Sequence, residues 1–484
     1  MKRQFDEVKP RELFLLLSVG AYSYLFYEQS AGMNYLLFAA LLVGMLAWLL
    51  PECRRQPAWR AVAAGTLVAA LGVALNGSFA AIALSWISFV LLAGLTFAPA
   101  SSLPVAFLNG FLSEAFLGFF LKTINWLSTL RLPTGLNSRF GWQRAGVYGI
   151  PVLVTVGFYE LYALANPDFG QLLAIDWPAY RVKWPLVFFT LWGLVWLSGL
   201  FHPWGIEALV NLDRASPDVL RRRRGTKRFR PTLALRWELR AGVLTLTMLN
   251  ALLVFFLLFD LAQVADGLPV TAEKGYSQYV HEGVNALILS VVMAIGVLLY
   301  FFRNSLNFYA QNQRIKTLAY GWVALNALLL AVTAYKNGLY IGEFGLTHKR
   351  IGVHVWLLLT AAGLLTTLLK VWQVRSNWFL FRRNAWIGYA VLLAYALVPW
   401  ARVMAWYNLD YARNRDVTYL TTLGSPTLPQ LLTWYKAHPD GLRPEEVERL
   451  RKITRDYFQY HPPTTDWRSL NFEEWRAYNQ LKTN

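Results

Sequence analysis

Arg221–Arg230 reads RRRRGTKRFR, inside a longer polar segment, Asn211–Arg240, that carries ten Lys/Arg against three Asp/Glu. Apolar runs long enough to cross a bilayer flank it, Lys183–Phe201 before and Ala241–Phe259 after. Each Arg or Lys in the middle of a membrane costs roughly 3 kcal/mol or more, so this block stays in water. It also resists translocation, which fixes its loop in the cytoplasm. Every other segment is then oriented by counting. A second use of such a cluster is attraction of anionic lipid headgroups. Nucleic-acid binding is set aside, because the net charge of +18 resides mainly in inner loops of this kind.

Composition agrees with a membrane protein. The 484 residues are 56% hydrophobic and 15% aromatic, and only 15% are charged, against about 25% in soluble domains. Mean hydropathy is +0.34. The single cysteine, Cys53, excludes internal disulfides and cysteine-rich metal centres. Leu13–Phe26 follows a charged start but lacks a small-residue cleavage site, so it reads as a first membrane helix and not a cleaved signal.

Outward from the basic block, the expected spans are Leu13–Phe26, Met33–Leu50, Ala61–Leu75, Phe79–Phe97, Ala145–Ala165 and Lys183–Phe201. After it come Ala241–Phe259, Val284–Phe302, Thr317–Tyr335, Ile351–Val371 and Ala385–Pro399. Outer connections include Asp260–Gly283 and a Gly-rich loop, Lys336–Arg350. Leu103–Leu121 carries Glu114 and precedes the basic segment Lys122–Arg144, so it is expected to be re-entrant or interfacial. The assigned inner segments hold 28 Lys/Arg and the outer loops six. That asymmetry supports about eleven crossings with the N-terminus in the cytoplasm and the C-terminus outside. The expected fold is an all-α polytopic transmembrane bundle in a bacterial inner membrane, with the lipid bilayer as its first partner.

Beyond Trp406 the chain changes character. Residues 407–484 carry eleven basic and ten acidic side chains, as expected of a translocated soluble piece. Pro444-Glu445-Glu446 opens an amphipathic helix running to Tyr460. Asn471 caps a last helix, with Glu473 and Glu474 in its first turn. So short a piece makes a small core, and it is expected to dock on the outer loops. The resulting division is residues 1–406 as the membrane domain and 407–484 as an extracytoplasmic helical tail. The tail's aromatic surface, including Trp434, Tyr457, Trp467 and Trp475, suits an envelope protein partner.

No phosphate-binding loop, nucleophile elbow, kinase set, cofactor motif or metal-ligand spacing is present. His281-Glu282 begins like a zinc-protease motif, but Asn285 stands where the second histidine is needed. What remains is positional. Glu160, Asp260, Glu282 and Glu343 fall at or near outer ends of spans, where carboxylates are costly unless paired or hydrated. Arg350 and His354 are one helical turn apart. The plain alternative is that each carboxylate pairs with a neighbouring Lys or Arg, or snorkels to the headgroups.

Two stretches, Tyr276–Ala286 (YSQYVHEGVNA) and Leu339–Val355 (LYIGEFGLTHKRIGVHV), resemble a bacterial multi-pass membrane family. That family is known only as a domain of unknown function (numbers four-one-five-three and four-one-seven-three). Its Tyr-x-x-Glu-Gly pattern falls on Tyr279, Glu282 and Gly283. Its Tyr-Ile-x-x-x-Gly-Leu-Thr-x-x-Arg pattern falls on Tyr340, Ile341, Gly345, Leu346, Thr347 and Arg350. Tyr407-Asn408, Asp416–Leu420 and Asp466–Asn471 are similar to it too. His281 replaces a common Arg, and Leu470 a common Trp. The likeness is visible over the last half to two thirds of the chain. It implies a network of Tyr279, Glu282, Tyr340, Thr347 and Arg350, with Gly345 in a tight loop, Thr347 as a cap and Arg350 facing Glu282. Glu160, Asp260, Glu343 and His354 are the weaker candidates. The function expected is outer-face ligand sensing or binding, or envelope scaffolding. A small-molecule or ion transporter and a membrane-embedded enzyme acting on lipid-linked envelope material remain open as alternatives.

Overall fold

Proline serves well in a helix's first turn, where its missing N–H has no partner to lose. Pro57 opens such a helix, and the Ala/Gly/Val run behind it continues to Asn76. Ser78 starts the next, its Oγ accepting the Ala81 N–H at 3.3 Å. A computed structural model describes residues 9–114, 183–221, 232–265, 273–303, 305–460 and 466–483, with a few isolated positions between 155 and 169. Within them the helices run α1 (Lys9–Phe26), α2 (Met33–Leu49), α3 (Pro51–Arg55), α4 (Pro57–Asn76), α5 (Phe79–Phe97) and α6 (Leu103–Leu112). Then come α7 (Trp184–Phe201), α8 (Glu207–Ala215), α9 (Thr232–Ala265), α10 (Glu273–Phe301), α11 (Gln313–Phe344) and α12 (His348–Trp372). The C-terminal set is α13 (Asn377–Leu397), α14 (Trp400–Asp410), α15 (Val417–Thr422), α16 (Leu428–Ala437), α17 (Pro444–Tyr460) and α18 (Phe472–Thr483). No strand occurs among the described residues.

Six of these helices are long and apolar enough to cross a membrane: α4, α5, α7, the Leu235–Gln263 part of α9, α11 and α12. The pair α13 and α14, bent by 66° at Val398-Pro399, makes a seventh if taken as one span. The molecule is therefore an all-helical, multi-pass membrane protein. On α9, Leu244, Met248, Leu252, Phe255, Leu258 and Phe259 are exposed, a face that water would penalise and lipid accommodates.

Two apolar cores organise the spans. One gathers Leu42, Trp59, Phe89, Leu92, Leu197 and Phe201 from α2, α4, α5 and α7, with Tyr389 and Ala396 of α13. The other gathers Leu246, Leu257, Val291, Leu298, Ile315, Leu329 and Leu364 from α9 to α12. Helix α13 joins the two, packing on α4 and α5 on one side and on α12 on the other. Small residues bring α5 and α6 into backbone contact: a Cβ on Gly94 would stand 1.8 Å from the Ala106 carbonyl oxygen. A third core, Ala405, Leu409, Leu420, Leu428, Leu431 and Leu450, belongs to the C-terminal helices. The boundary expected at 406/407 thus falls inside α14.

The helices outrun the apolar stretches that announce them. Helix α9 starts at Thr232 and α10 at Glu273, so much of the loop expected at Asp260–Gly283 is helical. The loop expected at Lys336–Arg350 contracts to Gly345–Thr347, since α11 continues to Phe344. Lipid demands an unbroken ladder only within the hydrocarbon; beyond it a helix runs on until a stop signal, as α11 does to Gly345. Residues 115–154, most of 156–182, and 222–231 lie outside the described residues, and with them Glu160, most of Leu103–Leu121 beyond α6, and Arg222–Arg230.

At one end of the molecule α8 is locked between two turns. Asp213 accepts the Ser102 N–H and the Trp378 indole N–H, each at 2.6 Å, and pairs with Arg382 at 2.7 Å. Arg382 also reaches Asp218 at 2.5 Å. Burial alone would push the Asp213 carboxyl up. The Ser102 N–H, the indole and the guanidinium reverse this and hold it below the usual carboxylate value.

Candidate functional site

The corner between α11 and α12 is built by three residues. Gly345 ends α11 with φ +76, a left-handed backbone that suits glycine. Thr347 caps α12, its Oγ1 accepting the Arg350 N–H at 3.3 Å. Arg350, only 9% exposed, turns its guanidinium back over the end of α11. It lies 4.1 Å above the Tyr340 ring and donates to the Phe344 carbonyl at 2.7 Å and to the Gly345 carbonyl. A cation set against the carbonyl end of a helix is favourable, and the aromatic face adds to it.

One turn further, Asn337 donates to the Arg350 carbonyl at 3.1 Å and meets His354 Nδ1 at 2.6 Å. Lys336 forms an ion pair with Asp260 of α9. Glu343 pairs with Arg413 at 3.3 Å and accepts the Asn414 amide at 2.9 Å. Tyr340, Thr347, Arg350 and His354 therefore gather at one corner, with Asp260 and Glu343 held by their own cationic partners. The side chains of Tyr279 and Glu282 lie outside the described residues, and so does Glu160. Arg350, expected to face Glu282, has carbonyls and a ring as its described partners. Among the described residues no three His, Cys, Asp or Glu side chains cluster as a metal site would need.

The corner is also a dock for the C-terminal residues. Asn408 of α14 accepts the Leu346 N–H at 2.5 Å and donates to the Leu346 carbonyl at 2.9 Å. Tyr419 Oη accepts the His348 N–H at 3.1 Å. A second dock receives residues 466–473. Leu470 accepts the Met33 N–H at 2.9 Å, Ser469 Oγ accepts the Ser30 N–H at 3.0 Å, and Arg468 donates to the Tyr24 carbonyl at 2.5 Å. Arg468 itself is clamped by Asp466, which holds that carboxyl at about 2. Glu473 of α18 meets Arg402 of α14 at 3.1 Å.

Asn337 and Asn408 were not singled out as site residues by sequence reasoning. A buried amide in an apolar helix is a signal for Asn337, whereas nothing local marks Asn408 as a partner of residue 346.

From residue 13 to residue 433 the chain matches the profile of the family described as Domain of unknown function (DUF4153). The match begins in α1, well before the motifs at Tyr276 and Leu339, and stops short of the Asp466–Asn471 motif. No curated protein and no solved structure matches the chain. The chain belongs to this family.

Proposed function

We propose that this family member is a bacterial inner-membrane protein that binds a ligand or an envelope partner at its outer face, through its C-terminal helices. The observation that carries the reading is the double docking. Residues 408–419 grip the α11–α12 corner, and residues 466–473 grip the α1–α2 turn. Those turns lie at ends that alternate along the chain with the α5–α6 turn, held by Asp213 of α8, and the α12–α13 turn, held by Asp218 and Val219 just beyond α8. This alternation supports about eleven crossings with a cytoplasmic N-terminus. The basic block at Arg221–Arg230 follows α8 directly and would meet anionic headgroups on that inner side. The corner of Tyr340, Thr347 and Arg350 then serves as the seat of the C-terminal region, residues 407–484, with Asp260, Glu343 and His354 around it.

Thiol labelling from outside intact spheroplasts tests the sidedness. Cys53 is buried and donates to the Thr96 carbonyl at 3.8 Å, and burial pushes its thiol up. It is replaced by serine for a clean background. Lys482→Cys is expected to react with an impermeant maleimide at once, and Arg214→Cys only after lysis. The reverse order would overturn the reading.

A further inference from the structure

Helices α14, α16 and α18 converge on a cavity of about 400 Å³, within the size range of small-ligand sites. Its charges are unequally used. Arg402 is matched by Glu473 at 3.1 Å, and that pair forms a neutral wall. Arg476 is half-buried on α18 and, among the described residues, has no acidic partner. Asp410 stands exposed at the end of α14, likewise without a basic partner among the described residues. Gln430 Oε1 is buried and accepts no hydrogen bond. Trp406 and Trp434 add aromatic surface to the lining.

These features select a chemistry. A simple anion would satisfy Arg476 and leave both Asp410 and the Gln430 carbonyl idle. A simple cation would do the opposite. A molecule with a carboxylate at one end, an ammonium or N–H at the other, and an apolar body between them uses all three groups and the tryptophans. We propose that the cavity binds a small zwitterion, a free amino acid or the end of a short peptide. Its carboxylate sits on Arg476, and its nitrogen lies between Asp410 and Gln430. This rests on the reading of the C-terminal helices as the binding part of the protein, and supplies the ligand class.

The experiment is titration of the full-length protein in lipid nanodiscs, followed by calorimetry and tryptophan fluorescence. The probes are L-alanine, D-alanine, L-glutamate and alanyl-alanine, with acetate and ethylamine as single-charge controls. Nanodiscs expose both faces, so binding here is independent of sidedness, and either reading can fail without the other. At least one zwitterion is expected to bind saturably where both controls do not. Arg476→Gln and Asp410→Asn are each expected to raise its Kd about tenfold or more. Absence of binding by every zwitterion, equal binding by acetate or ethylamine, or unchanged affinity in both variants would overturn the proposal. Should a variant unfold, the ranking of probes on the wild type decides alone.

Discussion

Arg350 resolves the cost of a buried cation in an apolar setting by facing what a helix end already supplies. Its described partners are two carbonyls of the α11 terminus and the Tyr340 ring. Lysine at this position would keep the charge but lose the flat face that stacks on Tyr340 and the planar group that sets Nη1 between the two carbonyls. Arg350→Lys is therefore expected to destabilise by about 1.5–3 kcal/mol, the usual worth of hydrogen bonds to a charged group. Thermal unfolding in detergent should show the loss as a lowered midpoint; an unchanged midpoint would make the stack incidental. Gly345 makes a companion case. A Cβ there would lie 2.5 Å from Asn408 Oδ1, on a backbone with φ +76. Gly345→Ala should cost about 1 kcal/mol or more. Because the clash falls on the dock and not within a core, its first sign should be faster proteolysis of the C-terminal helices.

One buried acid, Asp213, ties helix α8 both to the α5–α6 turn and to α13. The Asp213 carboxyl is held below its ordinary value in the folded protein. A depressed folded pKa contributes stability that is fully present above the unfolded value of about 3.9 and is lost as pH falls through the folded value. Between neutral pH and about 5 this latch should be constant; below about 4 it should weaken in the wild type. Asp213→Asn should remove that acid-dependent part of the unfolding curve, and a wild-type slope in the mutant would assign the acid sensitivity elsewhere. At this scale much could be read from sequence. The apolar runs, the Pro444 and Asn471 helix starts and the Gly345–Thr347 corner are all local patterns. What escaped reading was non-local. Asp213 meets Arg382 across 169 positions, and Asn408 meets Leu346 across 62. Helix ends differ from the apolar runs for another reason: hydropathy marks where lipid begins, whereas a helix ends at its own stop signal, Gly345 for α11.

The spans pack into two apolar cores whose division does not follow the order of the chain. Helix α13 lies late in sequence, yet Tyr389 and Ala396 belong to the core of α2, α4, α5 and α7. Tyr389 donates to, or accepts from, Ser88 at 2.9 Å within that core. The N-terminal bundle is thus incomplete without a helix from the other half, and the Asp213–Arg382 pair ties the same two halves at the end of α8. A cut within the basic block, between Arg224 and Gly225, separates the chain into pieces that each keep their own spans. The fragments, coexpressed in one membrane, are expected to copurify through a tag on either one. Arg382→Ala should weaken the association, because it leaves Asp213 buried beside an empty place. A fragment ending before α13, by contrast, should fail to retain the N-terminal piece. Independent elution of the two full halves would mean that lipid, and not α13, holds the cores together. The expectation follows from packing: lipid is as apolar as leucine, so helices in a membrane associate through close fit and polar contacts. Helix α13 provides both, in Tyr389 against α5 and in Arg382 against α8.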